Sequence, residues 1–319
     1  MVQAALDPAA AAWRRRVTGP VLLADRGSDD AEMARRAAAD VAAHEGVPLR
    51  LVTAWAVPAM GRVTPTAGEL DVSGVYENSA RAAQKGVREH LGSLGKRVGA
   101  GYVAEGSAVT VVAQTADMID ASLVVIGSRA GSGVRGHLMG LLPEAFVRGV
   151  HRPVLVVRGQ SADWPPRSII IVDADGSDDP AVAAEGARLA RVLKVPAALV
   201  RVSSERGAAA SDRRDEAPLK SMREDVRCCA SRLEAESGAE VTSWVTTGEP
   251  VGVLLGLASD PRVLVVAGRR AKHHGLGSIV SALLHEAAGP VLIVPERSPN
   301  IWWADYASIH PRSRESGAI

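Results

Sequence analysis

The stretch Leu123-Val124-Val125-Ile126-Gly127-Ser128-Arg129 returns in the second half of the chain as Leu264-Val265-Val266-Ala267-Gly268-Arg269-Arg270. Each is a continuous apolar run that ends at a glycine and then turns polar. A strand half-buried on one face would alternate; a run without alternation is what a strand covered on both faces requires, as in a parallel sheet flanked by helices. The offset between the two stretches is 141 residues (268 − 127).

Three further blocks repeat in the same order. Pro20-Val21-Leu22-Leu23-Ala24-Asp25, followed by Gly27-Ser28-Asp29-Asp30, is echoed by Ile169-Ile170-Ile171-Val172-Asp173 and Gly176-Ser177-Asp178-Asp179, 149 residues on (176 − 27). Val47-Pro48-Leu49-Arg50-Leu51-Val52 returns as Val195-Pro196-Ala197-Ala198-Leu199-Val200 at 148 (196 − 48). Arg152-Pro153-Val154-Leu155-Val156-Val157 returns as Gly289-Pro290-Val291-Leu292-Ile293-Val294 at 137 (290 − 153). Ordered self-similarity of this kind means duplication. The falling offset means that the second copy is the shorter one.

Helical patterns lie between the runs. From Asp29 to Glu45, Ala34, Ala37, Ala38, Val41 and Ala42 share one face, and Ser28 with two acids makes a good helix start. Val109, Val112, Ala113 and Ala116 form a second stripe, which Leu254, Leu257 and Ala258 mirror. Residues 57–74 and 206–218 read as loops. The predicted fold is α/β: two tandem Rossmann-like domains, each an open, mostly parallel five-stranded sheet with helices on both faces, spanning residues 17–158 and 167–296, with an aromatic-containing tail at 297–319. In such sheets ligands bind at the carboxyl ends of the strands.

Composition narrows the function classes. With 37 Lys and Arg against 36 Asp and Glu, the net charge of +1 provides no basic field for nucleic acid or an anionic membrane. The apolar runs are strand-sized, far short of the ~20 residues a membrane helix needs. Arg14-Arg15-Arg16 follows an alanine stretch, the wrong order for a secretory signal. Cys228 and Cys229 are adjacent on a helical pattern, where a bridge would be strained, and two thiols make no structural zinc site. A reducing cytoplasm is the expected compartment.

The loop Gly127-Ser128-Arg129-Ala130-Gly131-Ser132-Gly133, running on through Gly136 to Gly140 and an expected helix start, is the informative one. Glycines let backbone approach a phosphate, and the first turn of a helix favours anions, although a plain turn has the same composition. The strand-one acid, the following Gly-Ser, this loop, Gly140 and the closing Arg-Pro-Val-Leu-Val-Val strand together resemble the universal stress protein family. The resemblance covers residues 17–158 and 167–295 and looks like the tandem form.

That resemblance implies an ATP motif of Gly, two residues, Gly, nine residues, then Gly followed by Ser or Thr. Gly127 and Gly140 match in the first half; Ala130 stands at the second glycine, with Gly131 beside it, and Leu141 stands at the hydroxyl position. In the second half Gly277-Ser278 supply the Gly-Ser pair, but the loop from Gly268 is four residues shorter and basic. The family's strand-one aspartate contacts the nucleoside. Alignment on Gly27-Ser28 places Arg26 there, with Asp25 one place early; in the second half alignment selects Asp175 and the strand pattern selects Asp173. The candidate nucleotide-binding set is therefore Asp25, Gly127, Arg129, Gly131, Gly140, Asp173, Asp175, Gly268, Gly277 and Ser278. ATP is the implied cofactor, bound weakly or not at all given these departures, and no metal is required. The first half, with its spacing intact, is expected to bind better than the second.

Other groupings have plainer readings. His273-His274 beside Lys272 and the loop residue His137 read as solvated, Cys228-Cys229 as helix residues, and Asp29-Asp30 and Asp178-Asp179 as helix-start acids. No Gly-x-Ser-x-Gly elbow presents a nucleophile. Trp302, Trp303 and Tyr306 are expected to dock on the chain's own surface. The expected protein is thus a tandem universal stress protein acting by binding and protein contacts rather than catalysis; the alternative is an adenine-nucleotide hydrolase or transferase of the same fold. Its expected partners are an adenine nucleotide and other proteins, with the two domains forming an intramolecular pseudo-dimer through Val154–Val157 and Val291–Val294, and a homodimer as a further arrangement. Nucleic acid and membranes are not among them.

Overall fold

The computed structural model describes residues 19–25, 31–55, 98–128, 143–158, 163–173, 180–203, 217–269 and 276–295, with scattered helical positions between 77 and 92. The first half runs β1 (Val21–Ala24), α1 (Glu32–Glu45), β2 (Leu49–Trp55), β3 (Val98–Glu105), α2 (Ala108–Met118), β4 (Leu123–Ser128), α3 (143–149) and β5 (Val154–Arg158). The second runs β6 (Ser168–Asp173), α4 (Pro180–Leu193), β7 (Ala197–Ser203), α5 (Ala217–Ser237), β8 (Val241–Thr247), α6 (Pro250–Leu257), β9 (Val263–Arg269), α7 (Ser278–Glu286) and β10 (Val291–Pro295). The expected α/β architecture is present in both halves.

Local signals account for several boundaries. α1 buries Ala34, Ala37, Ala38, Val41 and Ala42, as its periodicity predicts, and Arg35 with them. It ends on Gly46, whose φ of 69° is the left-handed conformation open to glycine at no steric cost. The equivalent end of α4 places Lys194 at φ 58°, so the second half accepts strain that the first avoids. Ser107 caps α2 by accepting from the Thr110 N–H, and Glu249 caps α6 by accepting from Val251 and Gly252. The start of α5 at Ala217 lies inside the stretch that reads as a loop; Pro218 fits there because a first-turn proline has no helical N–H bond to lose. The expected helix-start residues Ser28, Asp29, Asp30, Asp178 and Asp179, all of the 57–74 loop and the aromatic tail lie outside the described residues.

The ten strands form one sheet in the order β3-β2-β1-β4-β5-β10-β9-β6-β7-β8. Every pairing within a half is parallel. Among the described residues the single antiparallel pairing, β5 with β10, joins the halves. Its register sets Val291 against Val156, Leu292 against Leu155 and Ile293 against Val154. Since Leu155 and Leu292 are themselves equivalent at the 137-residue offset, the closing strands pair about a pseudo-twofold axis through those two leucines. The two five-stranded sheets are therefore not separate bodies side by side but a single sheet.

Each face of that sheet has an apolar core running through both halves. One lies under α1, α4 and α5, the other under α2, α3, α6 and α7. On the first face α1 and α4 meet near the axis, where Glu45 and Glu185 both pair with Arg188 in the interior. Burial dominates there: it pushes the Glu185 carboxyl up to about 8 and, with the nearby Arg191 charge, brings Arg188 down to about 9. Trp164, in the segment between the halves, is buried and donates its indole N–H to Asp40 of α1 at 3.0 Å. On the other face Glu144 of α3 accepts from Ser281 at 2.8 Å and meets His285 of α7 at 2.9 Å. Among the described residues no helix is long and apolar enough to cross a membrane.

Two outcomes test this junction. Leu155→Ala and Leu292→Ala each open a cavity at the axis, and each is expected to cost about 2–5 kcal/mol in chemical denaturation. Because they face one another, the double variant should cost less than the sum of the two; strict additivity would show that they do not share a packing site. The second outcome concerns acid. Burial raises the Glu144 pKa, but hydrogen bonds from Ser281 and His285 and the charges of His285 and Arg148 outweigh it, so the net shift is downward. A depressed folded pKa stabilises above the unfolded value and is lost as pH falls through the folded one. Glu144→Gln should therefore be less stable than the parent at pH 7, with the gap closing below about pH 4.5; a gap constant with pH in urea midpoints contradicts the assignment.

Candidate functional site

Antiparallel joining of β5 and β10 points the carboxyl ends of the first half's strands opposite to those of the second. Each half thus offers its own carboxyl edge, and the two lie at opposite margins of the sheet. At the first edge Gly127, next to last in β4, faces the start of α1. A Cβ there would lie 3.4 Å from the Cα of Ala31, so its absence brings strand end and helix start into close contact.

Asp25 directly follows β1 and is 3% exposed. Its N–H donates to the Val52 carbonyl at 3.1 Å, and its own carbonyl accepts from the Thr53 hydroxyl at 2.7 Å. Its carboxylate accepts from Arg35 Nε at 2.6 Å, while Arg35 Nη1 reaches Glu32 at 3.1 Å. Burial pulls the Arg35 pKa down, but the hydrogen bonds and charges of Asp25 and Glu32 more than reverse this, leaving it raised. The cation is therefore fixed, and the aspartate is already neutralised by its own chain.

The registers resolve which second-half aspartate corresponds to Asp25. β1 pairs Val21 with Leu49 and with Leu123, and β6 pairs Ile169 with Ala197 and with Leu264. Both ladders equate Val21 with Ile169, and hence Asp25 with Asp173. Asp173 is also paired, accepting from Arg201 Nε at 2.8 Å and Nη2 at 2.5 Å. Arg201 lies on β7, at the place where the first half has Thr53; Arg35 comes from a helix. The same neutralisation is reached from different elements in the two halves.

Also at the second edge, Gly268 is next to last in β9 and Gly277 is the N-cap of α7. Gly277 has φ 79° and ψ 153° and open space where a Cβ would be. Ser278 follows as the first helical residue, and both are exposed. No side chain caps this exposed helix start among the described residues, and such a start is electrostatically suited to an anion. Of the predicted set, the structure places Asp25 and Gly127 at one edge and Asp173, Gly268, Gly277 and Ser278 at the other; Arg129, Gly131, Gly140 and Asp175 lie outside the described residues. So do His137, His273 and His274. Cys228 is exposed on α5 and Cys229 half-buried, both as free thiols.

Sequence reading missed Arg35 and Arg201. Each had a signal: Arg35 interrupts the alanine stripe of α1, and Arg201 falls on the inward side of β7 two residues after Leu199. A cation at a core position predicts a buried acid nearby. Among the described residues no group of three or more His, Cys, Asp or Glu could hold a metal ion.

Residues 18–158 match the model of the Universal stress protein family. Among solved structures, the chain is similar to a universal stress protein from Archaeoglobus fulgidus at TM-score 0.65 and 16% identity, covering 89% of this chain and 98% of that one. A putative universal stress protein from Pseudomonas aeruginosa is similar at TM-score 0.57 and 13% identity, covering 93% and 99%. No curated protein matches the chain. The family match thus lies in the first half, and the alignment of both neighbours along nearly the whole chain shows that the complete fold is shared.

Arg35→Met is expected to destabilise by about 3–5 kcal/mol, because it leaves the Asp25 carboxylate buried without its cation. Asp25→Leu combined with Arg35→Met should recover most of that loss. A double variant as unstable as the single one, in urea denaturation, would mean that the arginine contributes through packing alone.

Proposed function

We propose that the chain is a stress-response protein that binds adenine nucleotide at the carboxyl edges of its two halves and acts by binding and protein contact, without catalysis. The observation that carries this is the Gly277–Ser278 start of α7. A positive-φ glycine and an exposed serine open a helix there, at the sheet margin where a doubly wound fold receives its ligand. The match of the first half to the family supports the same reading for the opposite margin, where Gly127 lies against α1. Asp25 and Asp173 lie at the same two margins, each already paired with an arginine of its own chain. Nucleotide strength is set by what the departures from the ATP motif leave. The cytoplasm is the proposed setting.

Titration calorimetry with ATP tests the proposal. Gly277→Val forces a β-branched residue into a positive-φ position and should abolish the second-half component of binding. Ser278→Ala removes one hydroxyl donor to a charged phosphate and should weaken that component roughly ten- to a hundredfold. ATP binding indifferent to both changes would remove α7 from the site, and no binding of ATP or adenosine by the full chain would end the nucleotide reading.

A further inference from the structure

Two arginines at the carboxyl edges meet no acid among the described residues. Arg158 ends β5, and the β4–β5 register places it beside Ser128, one step past Gly127. Arg269 ends β9, directly after Gly268. Along β5, Val154 and Val156 face the core under α3 and α7, and along β9 Val263, Val265 and Ala267 do the same. Strand alternation puts both arginines on that face, the one that carries α3 and α7. They occupy matching margins of the two halves, yet the strands that bear them are not equivalent: Arg269 corresponds to Ser128, and Arg158 to Pro295. A duplication did not copy the pair; each half has a cation at its carboxyl edge by a different route.

The partners of the two side chains are equally telling. Arg158 Nη2 donates to the Leu284 carbonyl at 2.8 Å, and Arg269 Nη1 donates to the Arg148 carbonyl at 2.7 Å. Leu284 is in the last turn of α7 and Arg148 in the last turn of α3. Both carbonyls are among those a helix end leaves unpaired, at the negative end of its dipole. In both cases the arginine crosses the pseudo-twofold axis, since α7 belongs to the second half and α3 to the first. Among the described residues neither guanidinium meets a carboxylate, and each uses one of its five N–H donors on the helix it reaches. Partial burial lowers the pKa of both, which is the mark of a cation that has lost water without gaining a counter-ion.

We propose that Arg158 and Arg269 are anion-binding residues, one at each carboxyl edge, and that each is held in place by the last turn of the opposite half's helix. Their ligand is a phosphate or polyphosphate group, for which a guanidinium fork is the matching donor. Helix α7 then has a part in both edges: its first turn, at Gly277–Ser278, faces the second, while its last turn positions Arg158 at the first. The last turn of α3 likewise positions Arg269 at the second edge through the Arg148 carbonyl. Filling the first edge fixes Arg158 there, and so stiffens α7, whose start opens onto the second. This rests on the anion-binding reading of the edges but does not need adenine at either.

Inorganic tripolyphosphate is the probe that separates the two ideas, with adenosine as the test of the nucleoside part alone. In titrations of the full chain, Arg158→Gln and Arg269→Gln should each weaken tripolyphosphate binding about ten- to a hundredfold. Adenosine binding should be unchanged in both. Arg158→Lys, which keeps the charge, should recover part of the loss, and Arg262→Gln, an exposed arginine paired with Asp163, should behave as the parent. ATP binding that persists while neither arginine affects tripolyphosphate overturns this inference and leaves the proposed function standing. Tripolyphosphate binding that depends on the arginines, without adenosine binding, supports it and removes the nucleoside. In Arg269→Gln protein, where the first edge alone remains, tripolyphosphate should slow amide hydrogen exchange in α7; unchanged exchange there at full occupancy overturns the link across the axis.

Discussion

Pairing of β5 with β10 removes from solvent the two strand edges that each half would otherwise present at its closing strand. An unpaired edge is a row of backbone donors and acceptors open to any other strand. Here each closing strand covers the other, about the Leu155–Leu292 contact, and the remaining features of the junction follow from that choice. Antiparallel pairing turns one half over relative to the other, so the carboxyl edges face opposite ways. It also brings α1 to α4 on one face and α3 to α7 on the other, in pairs related by the same axis. Glu144 and Ser281 are equivalent positions at the 137-residue offset, and they hydrogen-bond to each other across the axis. In an isologous contact between separate subunits that position would meet its own copy across the axis; within one chain each side is free to differ, and glutamate faces serine.

Such freedom explains the charges buried at the junction. Glu45, Glu185 and Arg188 lie between α1 and α4, where two carboxylates share one guanidinium. Desolvation pushes the Glu185 carboxyl up in that setting, as expected where a buried carboxylate is taken from water. Trp164 closes the same face, reaching Asp40 from the connecting segment. The junction is thus apolar through its centre and ionic or hydrogen-bonded at its flanks on both faces.

Much of this was legible in the amino-acid order. Unalternating runs such as Leu123–Ile126 and Leu264–Ala267 specify strands covered on both faces, and their repetition predicts two like halves; that these join through the closing strands comes from the family resemblance. The burial of Ala34, Ala38 and Val41 follows the helical period. What was not legible has a common physical character. Whether Asp173 or Asp175 matches Asp25 depends on ladder register, and an extra residue after the strand shifts any alignment made on the following Gly-Ser. Ion pairs such as Asp173 with Arg201 join residues on neighbouring strands, and a contact between strands leaves no local pattern. Arg158 reaching Leu284 spans the two halves entirely and involves a backbone carbonyl, which every residue possesses. Side-chain identity alone does not reveal such a partner.

The two edges match in some features and differ in others. Strand order, the aspartate after the first strand, the glycine near the end of the fourth and the symmetry of the closing pair are the same in both halves. The cations are not: Asp25 is neutralised from α1 and Asp173 from β7, while the acid-free arginines belong to β5 on one side and β9 on the other. A residue inherited from one ancestral domain would occupy equivalent positions. These four arginines occupy four non-equivalent ones, yet they deliver the same two results at each edge, a paired aspartate and a guanidinium that meets no carboxylate among the described residues. Packing alone does not require a charge at the end of β5 or β9, because the burial of each arginine costs hydration that a helix carbonyl only partly returns. Convergence on the same charge arrangement by different residues is what a shared anionic ligand would select, and it locates that demand at the carboxyl edges rather than in the core.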